Sequence, residues 1–377
     1  MEKILDIVDA IAHEKGLQPA NVLEALKTAF VQTAKRVINH KITFEADIDT
    51  KTKKMHLYQT IIVVPDEDKR LEDEELSGGF ISLSDALKLD EDAELEDQLQ
   101  IDHALEDYGR TAAGKLHNEI EYHIQRLVEN ELYSKYNSKI GTIVTGRVTL
   151  VDSDQNTYID IDEVRAILPM KSRIKGEKFK VGDLLKALVR RVNIDKTNGI
   201  QIELSRTSPK FLEQLLAMEV PEIADGIVIV EKSARIPGDR AKIALMSMHP
   251  QVDAVGATVG VRGVRINAVS EELMGENIDC IEYTTIPELF VARVMSPAII
   301  SHIEIVRNEK GEAEKAIITL PADQKSKAIG KSGINIRLAS MLTGMAIELV
   351  ESGTSATAEG IEVEQKDGVD ALQALFS

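Results

Sequence analysis

The sequence predicts a multidomain chain that mixes α+β with all-β structure: an N-terminal α+β domain, a small closed β-barrel, and two consecutive α-β-β-α-α-β modules. Three observations predict it. Within the first 137 residues the hydrophobic spacing changes from helical to alternating and back. About five short alternating segments then follow one another, the pattern of a small barrel whose closure removes exposed edges. Finally, one order of helices and strands occurs twice, with Gly-x-x-Gly motifs beginning at Gly260 and Gly330, 70 residues apart.

The elements follow in order. Ile4, Ile7, Val8 and Ile11 recur at helical spacing, and Val22, Leu26, Ala29, Phe30 and Val37 do so again behind Pro19. Ile42, Phe44, Ala46 and Ile48 alternate, Asp49-Thr50-Lys51-Thr52-Lys53 reads as a turn, and Met55, Leu57 and Ile61–Val64 continue as strand. Leu83, Leu87, Leu95 and Leu99 suggest short helices on an acid-rich surface, and Leu116, Ile120, Ile124 and Leu127 mark a longer one. The barrel strands begin at Ile140 and end with Ile200, Ile202 and Leu204. The first module runs from a helix at Phe211–Met218 to a strand at Ile278–Tyr283, and the second from Leu289–Met295 to Ala346–Val350. The expected boundaries are 1–137, 138–208, 209–284, 285–352, and an acidic tail over 353–377 with an amphipathic turn near Val369, Leu372, Leu375 and Phe376.

Composition excludes several classes. Hydrophobic residues at 43% and charged residues at 29% describe chains with cores rather than disorder. The single cysteine, Cys280, allows no internal disulfide and sits in a strand-like alternation, so a structural thiol in a reducing compartment is expected. The N-terminus lacks a signal-peptide pattern, and no run of about 18 apolar residues is present, so a cytoplasmic location is expected.

The net charge of −18 is unevenly spread. Residues 1–135 carry 29 acids and 16 bases, and Asp66 to Asp107 alone holds 17 acids against 3 bases. Residues 171–210 reverse this, with 11 Lys/Arg against 4 acids. A local basic face binds phosphate whatever the sign of the whole chain. The split predicts a protein-facing acidic end and an RNA-facing end.

Gly260-Val261-Arg262-Gly263 and Gly330-Lys331-Ser332-Gly333 supply the chemistry of that second end. Two glycines let the chain turn sharply between helices and let a sugar-phosphate strand lie against it, as in a KH module. The helix that follows presents unpaired N–H groups. Arg262, Arg265, Lys331 and Arg337 add cations. One or two such pairs among 23 glycines are expected by chance; two at the same place in a repeated unit, each with a central basic residue, are strong evidence of a clamp. A nucleotide-binding P-loop requires Gly five residues before Gly330, and that position is Lys325. In the barrel, Lys171, Arg173, Lys175, Lys178, Lys180, Lys186, Arg190 and Arg191 form a basic set, with only Tyr158 and Phe179 as aromatic platforms, as in an OB fold that relies on electrostatics. The spacing of His117 and His123 and the run Glu72-Asp73-Glu74-Glu75 match no metal-site pattern, and no catalytic triad suggests itself. No enzyme activity, cofactor or metal is expected.

Ala234–Ala244, Asp253–Gly263, Ala268–Leu273 and Ala328–Ser340 resemble signatures of the NusA family of bacterial transcription factors. The resemblance covers nearly the whole chain, is most specific from Ser205 to Ser340 and is weakest over residues 40–110. It implies an S-one-type OB barrel, two type II KH domains, and an N-terminal domain that binds core RNA polymerase near the RNA exit. It implies binding of single-stranded nascent RNA, modulation of pausing, intrinsic termination and antitermination, contact with other antitermination factors, and a monomer. By position it assigns RNA contact to Arg206, in Ser205-Arg206-Thr207, and to both glycine loops. A short form is expected, without a counterpart of the acidic C-terminal repeats that, in some relatives, contact the polymerase α subunit.

Two other readings compete. Polynucleotide phosphorylase also joins a KH module to an S-one barrel, which suggests an RNA-decay accessory. There the KH comes first and a large core precedes both, and no such core fits in 137 residues. A translational RNA-binding module is the other alternative.

Overall fold

The computed structural model describes residues 4–40, 42–48, 55–71, 77–90, 92–103, 109–162, 164–195 and 199–352. The expected turn at 49–53, the run Glu72–Glu75 and the tail with its apolar residues lie outside them. The chain forms two compact units, Met1–Lys135 and Tyr136–Ser377.

In the first unit, α1 (Ile4–Lys15) buries Val8 and Ala12, one turn apart, and α2 (Pro19–Val37) buries Val22, Leu26, Ala29 and Thr33 along one stripe. Pro19 sits in the first turn, where its missing N–H costs nothing. These faces pack with Ile124 of α4 (Gly109–Asn137). Between α2 and α4, β1 (Phe44–Ile48) and β2 (Met55–Val64) pair antiparallel. β3 (Phe80–Ser82) joins β2 in parallel, and α3 (Leu83–Leu89) follows, with the Ser82 hydroxyl accepting from the Asp85 N–H at 3.1 Å. Of the four leucines expected in short helices, only Leu83 and Leu87 are helical; Leu95 is exposed outside any helix, and Leu99 lies in β4 (Gln98–His103). β4 pairs antiparallel with β2, and its alternating burial turns Leu99 and Ile101 to one face, so pairing with β2 overrode the four-residue leucine spacing.

The second unit opens with the barrel. β5 (Ile143–Val151), β6 (Thr157–Ile161), β7 (Val164–Leu168), β8 (Leu184–Asp195) and β9 (Gly199–Ser205) close in the order β5-β6-β7-β9-β8. Val148, Ile159, Ala166, Val189, Ile202 and Leu204 are buried. Gly146 is required by close approach: a Cβ there would lie 2.5 Å from Ile159 Cγ2. Tyr136, wholly buried, donates its hydroxyl hydrogen to the Ile161 carbonyl.

The first repeat comprises α5 (Pro209–Glu219), the short α6 (Pro221–Ala224), β10 (Val228–Ile236), β11 (Arg240–Ser247), α7 (Ala254–Val259), α8 (Val264–Glu272) and β12 (Asn277–Glu282). The second comprises α9 (Pro287–Val294), β13 (His302–Arg307), β14 (Ala313–Leu320), α10 (Ala322–Ile329), α11 (Ile334–Thr343) and β15 (Ala346–Glu351). Each forms a three-stranded sheet in which the first two strands are antiparallel and the last two parallel. The second repeat packs onto the first: Ala234, Ala244 and Ile281 share a core with Val294, Leu338 and Leu342. At that seam Lys242 is buried with its Nζ 3.0 Å from Asp279 Oδ2, and it donates to the Ser296 carbonyl. Burial pushes its ammonium group below the ordinary lysine range, against the pull of Asp279.

Candidate nucleic-acid interface

The two glycine loops have the same backbone. Gly260 ends α7 at φ 75°, ψ 172°, and Gly330 ends α10 at φ 73°, ψ 175°. Next, Arg262 and Ser332 occupy the left-handed region at φ 55° and 54°. Gly263 and Gly333 then cap α8 and α11 in the same region. Gly263 N–H donates to the Gly260 carbonyl at 3.1 Å, and Gly333 N–H to that of Gly330 at 3.2 Å. A non-glycine residue held at positive φ costs on the order of 1 kcal/mol or more, and such residues cluster at ligand clamps.

The first glycine of each motif is fixed by space as well as by φ. A Cβ on Gly260 would meet Arg265 Cγ at 2.9 Å, and one on Gly330 would meet Asn335 Cβ at 2.7 Å. Arg265 and Asn335 hold equivalent places, two residues beyond the second glycine. Arg265 donates to the Ala257 carbonyl at 2.7 Å and to Glu222 at 2.8 Å. Glu222 is held below the ordinary carboxylate range by its own backbone N–H and then by Arg265. Asn335 is buried, donates to the Ala328 carbonyl at 3.0 Å, and has an Oδ1 without a partner among the described residues. Asn335 is not among the residues the sequence singles out; the signal for it is its offset from the second glycine, the same as that of Arg265.

The loop tips face outward. Val261 is 83% exposed, and Arg262, Lys331 and Ser332 are exposed. Arg337, on α11, is exposed as well. Each tip is followed by the N-terminus of a nine- or ten-residue helix, which favours an anion. Arg265 stands below its tip, half-buried and paired, so it braces the loop.

Arg206, expected to contact RNA, is instead buried, its side chain 5% exposed. Its Nε donates to Glu177 at 2.7 Å and its terminal nitrogens donate to Glu272 and to the Lys186 carbonyl. The ion pairs that satisfy this guanidinium remove it from the surface. The basic set of the barrel is likewise divided. Arg190 and Arg191 pair with Glu203, and Arg173 donates to the Gln155 carbonyl and lies over the Phe179 ring at 5.2 Å. Lys171, Lys175, Lys178 and Lys180 are exposed along the connection between β7 and β8. Tyr158 is half-buried, with its hydroxyl 3.4 Å from Asp152.

Among the described residues no cluster of His, Cys, Asp and Glu could hold a metal ion, and no helix is long and apolar enough to cross a membrane. Cys280 packs against the core of the first repeat, and burial followed by the Asp279 charge pushes its thiol up to about 12.

Three family models match the chain: the NusA N-terminal domain over residues 3–131, the NusA-like first KH domain over 206–283, and the NusA-like second KH domain over 287–357. The transcription termination/antitermination protein NusA of Helicobacter pylori (strain J99) is 37% identical over the whole of both chains. That of Thermus thermophilus is 32% identical over 98% of this chain and 95% of its own. The solution structure of the N-terminal domain of NusA from Bacillus subtilis aligns with 34% of this chain and 94% of its own, at 26% identity and a TM-score of 0.26.

Proposed function

Because the chain belongs to the NusA family, we propose that it is a non-enzymatic transcription elongation factor that binds core RNA polymerase and nascent single-stranded RNA. In this reading it modulates pausing, intrinsic termination and antitermination. The observation that carries RNA binding is the pair of matching Gly-x-x-Gly loops, each with an exposed tip ahead of a helix N-terminus. Val261, Arg262, Lys331 and Ser332 would meet phosphate and sugar, with Gly260, Gly263, Gly330 and Gly333 allowing the close approach. Arg337 and the exposed lysines of the barrel connection would extend the electrostatic track. Arg265 would act through the loop it braces. The first unit, rich in acid, would face a basic surface of the polymerase and leave RNA to the second.

The test replaces the four tip residues with aspartate: Val261→Asp, Arg262→Asp, Lys331→Asp and Ser332→Asp. Aspartate tolerates the left-handed backbone of Arg262 and Ser332, and all four side chains are exposed, so the melting curve should be unchanged. RNA affinity should fall at least tenfold. The salt dependence should flatten, since each lost single-strand phosphate contact removes about 0.7 from the logarithmic slope. Full RNA affinity in the folded variant would make these loops structural turns and end the RNA-clamp reading.

A further inference from the structure

The exposed lysines of the barrel connection and the first glycine loop are joined by one chain of charge, buried at Glu177 and Arg206 and half-exposed at Glu272. Glu177 lies inside the basic stretch Lys171–Lys180 and is itself buried. One of its carboxylate oxygens accepts from the Ile174 N–H at 2.9 Å, which shapes that stretch. The other accepts from Arg206 Nε at 2.7 Å. Arg206 reaches onward to the Glu272 carboxylate at 2.9 Å and to the Glu272 carbonyl at 2.8 Å. Glu272 is the last residue of α8, where a cation also suits the helix dipole. The other end of α8 is Val264, the residue after Gly263. Nine residues at about 1.5 Å each make a rigid strut of roughly 13 Å between the Arg206 contact and the loop.

A second buried pair holds the same point by its backbone. Arg235 and Glu276 are wholly buried and 2.8 Å apart. Arg235 donates to the Arg206 carbonyl at 2.7 Å, and Glu276 accepts from the Gly238 N–H at 2.9 Å. Gly238, in turn, abuts the basic stretch: a Cβ on it would lie 2.8 Å from Ile174 Cγ2. Buried ion pairs are weak contributors to stability compared with apolar packing, and their best-attested use is to fix one arrangement among several.

We propose that Arg206 is a positioning residue for RNA: the Glu177–Arg206–Glu272 chain sets the spacing between the lysines of the barrel connection and the Gly260–Gly263 loop, so that one strand engages both. The inference rests on the RNA-binding reading above. A fixed spacing raises the effective concentration of the second site once the first is occupied. Only RNA long enough to span both should feel its loss.

The experiment uses the full chain and two single-stranded RNAs. One is about 8 nucleotides long, enough for two KH clamps of four each. The other is about 20, which adds a barrel site of roughly 4–16 nucleotides. Wild-type protein should bind the longer RNA more tightly. Arg206→Met should leave affinity for the short RNA within twofold and reduce affinity for the long one tenfold or more. Glu272→Gln, which leaves the Glu177–Arg206 pair in place, should do the same at about threefold. A long-RNA advantage that survives in both folded variants overturns the proposal. So does an equal loss on both RNAs, which would mean local damage to the first module, and so does unfolding of both variants, which would make the network a stability element. Failure of the wild type to bind either RNA would instead remove the RNA reading itself.

Discussion

The Tyr136 hydroxyl donates to the main-chain carbonyl of Ile161 at 3.1 Å, from a ring with no exposed surface. Tyr136 stands at the start of the second unit, and Ile161 ends β6, so this bond ties the chain's entry to the barrel wall. Lys139 lies over the same ring at 5.0 Å. Tyr136→Phe should cost about 1 kcal/mol, the net value of one hydrogen bond, and Tyr136→Ala about 3–5 kcal/mol, as for other large aromatic truncations. Urea denaturation of the full chain, followed by a signal from the second unit, measures both. Equal costs for the two variants would show that the ring contributes no packing.

The same bond decides where the chain can be divided. A protein beginning at Glu131 retains Tyr136 and should keep RNA affinity within threefold while losing polymerase affinity. One beginning at Ser138 should melt at a lower temperature, because a buried aromatic side chain has been removed. Polymerase pull-down and RNA titration of both chains check this. Retained polymerase binding by the Glu131 chain would refute the division of labour between acidic and basic ends.

Three glycine-to-alanine changes should rank by what a Cβ would meet. Gly275 has φ 80° and open space around it, so Gly275→Ala should cost about 1 kcal/mol from backbone strain alone. Gly260→Ala adds contact with the flexible Arg265 side chain, which can move aside. Gly330→Ala adds contact with the Cβ and backbone N of buried Asn335, which cannot. The expected order of destabilisation is Gly330, Gly260, Gly275, read as midpoints of thermal or urea unfolding. A Gly330→Ala variant as stable as Gly275→Ala would contradict the packing argument.

The Cys280 thiol, raised to about 12 by burial and by the Asp279 charge, should resist alkylation at pH 8 in the native chain and react within minutes in urea. The stability consequence follows from the sign. The unfolded thiol ionises at lower pH than the folded one, so folding favours the protonated form. That contribution is whole below about pH 9 and is lost as pH rises from there toward about 12. Cys280→Ala should remove this component of the alkaline loss, as pH-dependent urea titrations would detect. Rapid native labelling would place the thiol at the surface.

How far the sequence reaches depends on the range of the interaction that decides each feature. The repeated α-β-β-α-α-β order, the barrel and the glycine loops were legible because hydrophobic periodicity and turn chemistry act over a few residues. Leu95 and Leu99 misled because two leucines four apart suit a helix, and only pairing with β2 made the second a strand residue.

The sequence by itself determined the modular order, the two clamp-like turns and the charge division between the ends of the chain. Tertiary structure alone decided which cations are free. Arg206 and Lys178 look alike in a basic stretch, but Arg206 meets Glu177 and Glu272, 29 and 66 residues away, and Lys178 remains exposed. The physical reason is desolvation. A charge survives burial only beside a partner; the folding of the barrel brings Glu177 to Arg206, and the packing of the barrel against the first repeat brings Glu272.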